Sequence, residues 1–180
     1  MKRIFQNIAI LVIFMSLTSC LKSKDLIGPD ADKSAGAIIE FANPDYIATG
    51  SASASIKLAR YELSLPKGPA TLLKVYVQYV GTGKMASSDV TVGLGIDAAA
   101  LTLHNTQAGK AYNLIPAAWY TLPASVVIPA GQRGVEVTIP INTNNYVAGQ
   151  TYALPLSIRS ASVGTVSGNF GTIIVAIAAQ

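Results

Sequence analysis

The sequence contains a single histidine, His104, and a single cysteine, Cys20, among its 180 residues. Imidazole and thiol groups supply much of the acid–base, nucleophilic and zinc chemistry of proteins, but each task needs partner residues. A zinc site built from Cys and His alone needs several such ligands, and a disulfide needs two cysteines, so both are excluded. His104 would depend on scattered carboxylates for a triad or metal site. A capping or surface imidazole is therefore the favoured interpretation.

Two short motifs match fragments of catalytic or phosphate-binding signatures. Ser64-Leu-Pro-Lys67 has the Ser-x-x-Lys spacing of penicillin-recognising enzymes, but the companion motifs are missing and a proline stands inside it. Gly81-Thr-Gly-Lys84 matches part of a phosphate loop, whereas Gln78 and Met85 occupy the places of its first glycine and its Ser or Thr. The nine acidic residues are dispersed and indicate no glycosidase pair. We predict no enzyme activity, no catalytic residues, no metal and no cofactor.

The first twenty residues have the features of an export signal. Lys2 and Arg3 form a basic start, residues 8–15 are apolar, and Leu17-Thr-Ser-Cys20 follows. This tetrad resembles the lipobox of bacterial lipoproteins, in which the signal is removed and the cysteine is diacylated. We therefore predict a signal peptide at 1–19 and lipidation of Cys20; the alternative is a free cysteine after an ordinary signal peptide. Two or three acyl chains would hold the protein on a membrane permanently, because each buried CH₂ contributes about 0.8 kcal/mol.

The next segment, 20–34, is polar and rich in turn residues, which predicts a flexible tether before a single domain at 35–180. Apart from Lys2 and Arg3, the chain has 11 basic and 9 acidic residues, and the basic ones are scattered. Phosphate backbones select clustered Lys and Arg. Nucleic acid is therefore not an expected partner.

Apolar and polar residues alternate through the domain, with turn residues between the runs. Thr172–Ala178 is apolar at almost every position and is expected to be covered on both faces. Pro140 and Pro155 fall inside strand patterns and are expected at an edge or a bulge, because proline cannot donate to a ladder. The runs expected to be half-buried strands are Leu73–Tyr79, Val90–Ile96, Val135–Ile141 and Tyr152–Ile158.

Helical structure is expected only at Ala98–Asn105, as one or two turns capped by Asp97. Eight or nine short antiparallel strands predict an all-β, immunoglobulin-like β-sandwich, with a small barrel as the alternative. The earlier strands are expected at Ala37–Phe41, Ser53–Leu58 and Tyr61–Leu65, with a bulge or bend at Ala59-Arg60.

Several segments from Tyr112 onward resemble one known family. They are Tyr112–Pro116, Trp119–Leu122, Val126–Gly131, Val135–Ile139 and Thr151–Ile158. Together they resemble the domain of unknown function 1735, a family of immunoglobulin-like domains in secreted Bacteroidetes lipoproteins, often N-terminal to a glycosidase or lectin-like domain. The resemblance implies an outer-membrane lipoprotein facing the periplasm or the cell surface. The sequence ends directly after the sandwich, so no C-terminal glycosidase is expected in this chain.

Trp119 and Tyr146 are the candidate ligand-binding residues. Alternation through Ala118–Leu122 directs Tyr120 inward and Trp119 outward, where indole can stack on the C–H face of a sugar. Tyr146 follows two asparagines and is expected to provide a second stacking platform. The expected function is assistance in capturing an oligosaccharide; in the alternative, Trp119 is a rim residue and the domain pairs with another envelope protein through a sheet edge.

Overall fold

The computed structural model describes residues 36–42, 59–81 and 85–179. The predicted signal peptide, Cys20, the tether and the strand at Ser53–Leu58 lie outside these residues. Within the described ranges, no helix is long and apolar enough to cross a membrane. The elements are β1 (Ile38–Phe41), β2 (Ala59–Leu65), β3 (Thr71–Val80), β4 (Val90–Ile96), α1 (Ala98–Ala108), β5 (Asn113–Leu114), β6 (Ser125–Ile128), β7 (Gly134–Ile141), β8 (Thr151–Ala161), β9 (Thr165–Val166) and β10 (Thr172–Ala179), with short 3₁₀ helices at Ala117–Trp119 and Thr143–Asn145.

The strands form two sheets, which confirms the predicted all-β sandwich. One sheet has the order β7-β3-β1-β9, and the other has the order β2-β10-β8-β4-β6 with β5 paired to β8. Three pairs are parallel rather than antiparallel: β1 with β9, β2 with β10, and β5 with β8. The described residues contain ten strands, more than the eight or nine expected. The difference arises because β5 and β9 have only two residues each, too few to produce a recognisable alternation. β2 pairs with β10 in continuous register, so no bulge interrupts it at Ala59-Arg60.

The core lies between the inner faces of the two sheets. β3 alternates as predicted, with Leu73, Val75 and Val77 buried and the residues between them more exposed. Leu154 and Leu156 are buried in the same cluster as Ile139, so the predicted inward phase of these strands is confirmed. Each such side chain contributes roughly 1.5–3 kcal/mol on burial, which makes this cluster the main source of stability.

Two central strands, β8 and β10, are buried on both faces. This burial was expected for β10, but the alternation at Tyr152–Ile158 predicted a half-buried strand, and that expectation is wrong for β8. The reason is that α1 packs on the outer face of the six-stranded sheet. Ala100 and Leu101 of the helix form a second apolar cluster with Ala153 of β8 and Ile174 of β10.

The helix α1 has 11 residues and is longer than the one or two turns expected. Asp97 caps its start, as predicted, by accepting a hydrogen bond from the Ala100 N–H at 3.1 Å. Its end lies at Gly109, which adopts a left-handed conformation with φ 60°. Glycine takes this conformation without the steric cost that a side chain would add.

The two prolines in strands have different positions. Pro140 lies in β7, at an edge of the four-stranded sheet, as expected. Pro155 lies in β8, between β10 and β4, so the expectation of an edge or bulge position is wrong. It is tolerated because β4 ends at Ile96, and Asp97 then donates its N–H to the Pro155 carbonyl at 2.9 Å. The Asp97 carbonyl accepts from Leu101 in the helix and needs no donor from a strand at this point.

Candidate functional site

Trp119 ends the 3₁₀ helix that connects β5 to β6. The backbone N–H of Trp119 donates to the Pro116 carbonyl at 2.9 Å, and the Trp119 carbonyl accepts from the Asn142 backbone N–H at 2.7 Å. The next residue, Tyr120, forms an isolated antiparallel bridge with Ile141 at the end of β7. These bonds fix the Trp119 backbone beside the edge of the four-stranded sheet. Because the segment is a 3₁₀ turn, the alternation used to predict an outward Trp119 does not apply.

The Trp119 side chain is half-buried and belongs to an aromatic cluster with Tyr146 and Tyr152. The indole centroid lies 6.0 Å from the Tyr146 ring and 5.7 Å from the Tyr152 ring. The two tyrosine rings stack on each other at 4.3 Å. Aromatic contacts at these distances are favourable, so the indole is held in place by rings on the core side while part of it reaches the surface.

Tyr146 is not the exposed platform that was expected, because only 3% of its surface is accessible. The 3₁₀ helix at Thr143–Asn145 leaves Asn144 and Asn145 exposed and brings Tyr146 into the core. Its hydroxyl has no hydrogen-bond partner among the described residues. Burial, and secondarily the neighbouring Tyr152, raise the pKa of the Tyr146 phenol above its ordinary value. Tyr146 thus supports Trp119 from the core and offers no face to a ligand.

A surface pocket of about 250 Å³ adjoins Trp119. Of the described residues that line it, none is charged. The polar residues among those that line it are Tyr120, Thr121 and Asn142, and burial raises the pKa of the Tyr120 phenol. An aromatic wall with a few neutral hydrogen-bonding groups suits a neutral ligand that has both apolar and hydroxyl surface. The lining residues are Pro69, Ala70, Ala118, Trp119, Tyr120, Thr121, Pro140 and Asn142.

The wall formed by Pro69 and Ala70 is fixed to the other side of the pocket through Thr143. The buried Thr143 hydroxyl donates to the Pro66 carbonyl at 2.8 Å and accepts from the Gly68 N–H at 2.9 Å. The sequence analysis did not identify Pro69, Ala70 or Thr143 as residues of the site. Nothing in their local pattern indicates that a loop before β3 meets the segment after β7.

His104 lies inside α1 and is 1% exposed, so the expectation of a capping or surface imidazole is wrong. It was placed at a helix end, but the helix continues to Ala108. The imidazole stacks on Tyr112 with a centroid distance of 5.9 Å. The Asn105 amide holds Tyr112 in turn, donating to its carbonyl at 2.9 Å and accepting from its N–H at 3.2 Å. The arrangement joins the helix to the segment that follows it.

The Ser64–Lys67 motif is not assembled into a reactive centre, and residues 82–84 of the Gly81–Lys84 motif lie outside the described residues. Ser64 is an exposed residue of β2 and lines a groove of about 320 Å³ with Glu62, Tyr112 and Thr151, while Lys67 lies exposed in the loop after the strand. Among residues 36–42, 59–81 and 85–179, no three His, Cys, Asp or Glu side chains are grouped so as to hold a metal ion.

A family model described as an N-terminal domain matches residues 41–165. A multidomain protein from Bacteroides ovatus that includes the domain of unknown function 1735 has a similar fold, with a TM-score of 0.57 and 19% identity over 77% of this chain and 44% of that chain. This chain belongs to the domain of unknown function 1735 family.

Two further solved structures resemble this family member. A candidate carbohydrate binding protein from Bacteroides ovatus has a TM-score of 0.57 and 14% identity, covering 70% of this chain and 36% of that chain. An auxiliary nutrient binding protein from Bacteroides thetaiotaomicron has a TM-score of 0.56 and 20% identity, covering 73% and 47%. The chain thus spans less than half the length of all three structures, and at these identities the likeness shows the fold alone. No curated protein matches the sequence.

Proposed function

We propose that this domain of unknown function 1735 protein is a non-catalytic envelope lipoprotein that assists glycan capture through the pocket beside Trp119. The observation that carries the proposal is a half-buried indole, backed by two stacked tyrosines, at an uncharged pocket lined in part by Tyr120, Thr121 and Asn142. Sugars offer C–H faces for stacking and hydroxyls for hydrogen bonds, which matches this composition. The names of two similar structures, one for carbohydrate binding and one for nutrient binding, support the same class of ligand.

The membrane part of the proposal rests on the sequence. Residues 1–19 would be removed as a signal peptide, Cys20 would be acylated, and 20–34 would tether the domain to the outer membrane, facing the periplasm or the surface. Cys20→Ala should abolish incorporation of labelled palmitate and partitioning into the detergent phase. Ser23→Ala, three residues beyond the lipobox, is the matched control and should label normally. Equal labelling of the Cys20→Ala protein would overturn the anchoring.

The glycan site is tested on a chain that begins at residue 20 with Cys20→Ser, which removes the anchor. A glycan array first identifies neutral oligosaccharides that bind to this chain. Their binding is then measured by calorimetry and by the fluorescence of Trp119, the sole tryptophan. Binding should shift the indole emission and protect it from iodide quenching. Trp119→Phe, which keeps an aromatic side chain, should weaken binding, whereas Val163→Ala, an exposed site elsewhere, should not. A ligand that binds equally well to Trp119→Phe would refute the site.

A second candidate function, assembly through a sheet edge, has one observation in its favour. β6 is an edge strand of the six-stranded sheet, has no charged residue, and leaves Val127 43% exposed. Proteins commonly protect edge strands with charges, so an uncharged edge can accept a strand from a partner. In that case Val127→Lys would abolish capture of an envelope partner and leave glycan binding unchanged.

A further inference from the structure

The pocket beside Trp119 adjoins the outer face of the four-stranded sheet. Pro140 of β7, which lines the pocket, is directly opposite Leu72 of β3 in the strand register. Leu72 is 52% exposed, while its neighbour Leu73 is buried in the core. Because side chains alternate between the faces of a strand, Leu72 and Pro140 lie together on the outer face. We call Trp119, Pro140 and Leu72 the apolar strip.

The apolar strip ends at a pair of opposite charges. Lys74 follows Leu72 on the same face of β3, and its Nζ lies 2.9 Å from the Glu136 carboxylate of β7. Both side chains are exposed, at 58% and 50%, so their polar atoms can also bond to a ligand. The two charges compensate each other. A carboxylate or sulfate placed on this pair would therefore meet Glu136 as well as Lys74, and the pair has no net positive charge to attract it.

The size of the pocket limits what fits beside Trp119. Its volume of about 250 Å³ lies just below the roughly 300–1,000 Å³ of pockets that enclose drug-sized ligands. One sugar ring suits this volume better than a longer chain. A second residue of a glycan that extends from the pocket over Pro140 would meet Leu72, the exposed side chain opposite Pro140 in the strand register.

We infer that the ligand is an uncharged oligosaccharide of at least two residues, with one ring against Trp119 and the next on Pro140 and Leu72. The inference rests on the proposed function and adds the charge and minimum length of the ligand. It makes Leu72, which touches no part of the pocket itself, a contact for the second sugar.

The test uses neutral gluco- and manno-oligosaccharides of one to six residues as probes, with a uronic acid series of the same lengths. Affinity of the unmodified domain should rise about tenfold from one residue to two. Leu72→Ser should lower disaccharide affinity about fivefold and leave monosaccharide affinity unchanged. Leu103→Ser, which changes an equally exposed leucine on α1, is the matched control and should alter neither affinity.

The possible failures are distinguishable. If Trp119→Phe weakens binding but Leu72→Ser leaves the disaccharide affinity unchanged, the glycan site stands and the extended ligand is refuted. Uronic acid oligomers that bind as tightly as neutral ones would refute the uncharged ligand. If Trp119→Phe has no effect on any probe, the proposed function itself fails. Intact folding of each variant is checked by circular dichroism before binding is measured.

Discussion

The outer faces of the two sheets differ although their inner faces share one core. On the six-stranded sheet, α1 covers Ala153 and Ile174, and both are fully buried. On the four-stranded sheet no helix among the described residues covers β3, and Leu72 and Tyr76 remain 52% and 41% exposed. Over the central strands of the six-stranded sheet the domain therefore has three layers: α1, the six-stranded sheet and the four-stranded sheet. The described part of the four-stranded side has no further layer outside the sheet.

The difference separates the face that contributes most to stability from the face that adjoins the Trp119 pocket. Large apolar side chains beneath the helix cannot be shortened without a loss of stability, because each one that is removed leaves a cavity. The bare face is held by cross-strand polar pairs instead, Lys74 with Glu136 and Gln78 with Glu40, the latter at 2.8 Å. Exposed pairs of this kind contribute only about 0.2–1 kcal/mol each. The exposed side chains of these pairs can therefore be substituted at small energetic cost, and they lie on the face that adjoins the Trp119 pocket.

The largest expected effect contrasts one aliphatic residue from each outer face. Ile174→Ala should lower the free energy of unfolding by about 2–5 kcal/mol, because the helix cannot fill the cavity. Leu72→Ala should change it by less than about 0.5 kcal/mol, because its side chain is already half in water. Urea melts of the two variants measure both values. Equal losses would contradict the division between a covered and a bare face.

A smaller loss is expected at Gly134, where Tyr76 covers the glycine on the bare face. A Cβ at this position would overlap the Val77 carbonyl oxygen and lie 2.6 Å from a ring carbon of Tyr76. Gly134→Ala should therefore cost about 1–3 kcal/mol, since the backbone of β3 would have to shift. Gly168→Ala is the control, because a Cβ there meets nothing within 4 Å. If Gly134→Ala left the melting temperature unchanged, the sheet would open easily at this position.

The cap of α1 sharpens the comparison on the covered side. Asp97→Ala removes the acceptor of the Ala100 N–H and should cost about 1 kcal/mol. Asp97→Asn keeps a capping oxygen and should retain most of the stability. Amide hydrogen exchange should locate the loss in α1 and leave β3 unchanged. Faster exchange spread equally over both sheets would instead make α1 an inseparable part of the core.

The smallest expected effect is a gain in stability on substitution of Tyr146, a buried residue of the core. Tyr146→Phe removes a buried hydroxyl without a partner among the described residues and should stabilise the domain by somewhat less than about 1 kcal/mol. Tyr152→Phe is the control. It should lose stability, because the Tyr152 hydroxyl accepts from the Val147 N–H at 3.3 Å.

The same residue predicts a dependence on alkaline pH. The pKa of Tyr146 is raised in the folded state, so near pH 10 the unfolded chain releases this proton first. Stability should therefore be complete below about pH 10 and fall as the pH rises toward the folded pKa. Urea melts at neutral and alkaline pH should show a smaller fall for Tyr146→Phe. An identical fall in both proteins would assign the alkaline loss to other groups.

The sequence predicts the strands that have one buried face, because alternation records that burial directly. On this basis the sequence correctly predicts core positions for Leu73, Val75 and Val137. It does not predict the second covered face of β8, since Ala153 and Ser157 suit a solvent-facing position as well as a helix-covered one. The length of α1 was underestimated because its apolar residues form no clear stripe.

The candidate site was predictable only in part. Trp119 was identified from its residue type and its neighbours, but its orientation depends on a 3₁₀ turn that alternation cannot indicate. The two preceding asparagines predict a surface position for Tyr146, but the 3₁₀ helix at Thr143–Asn145 brings it into the core. The pocket also needs Pro69 and Ala70, and the long-range hydrogen bonds by which Thr143 holds their loop have no counterpart in a local sequence pattern.

The pairing of β2 has a consequence for how the chain folds. β2 is a sheet edge whose strand neighbour is β10, a strand that the chain reaches only about a hundred residues later. Until that last strand arrives, Ala59–Leu65 cannot be incorporated into the six-stranded sheet. Closing such a long loop has a large entropic cost before any contact compensates it, so folding should be slow for a domain of this length. During synthesis or export from the N-terminus, the sheet can therefore be completed only after Thr172–Ala179 has emerged.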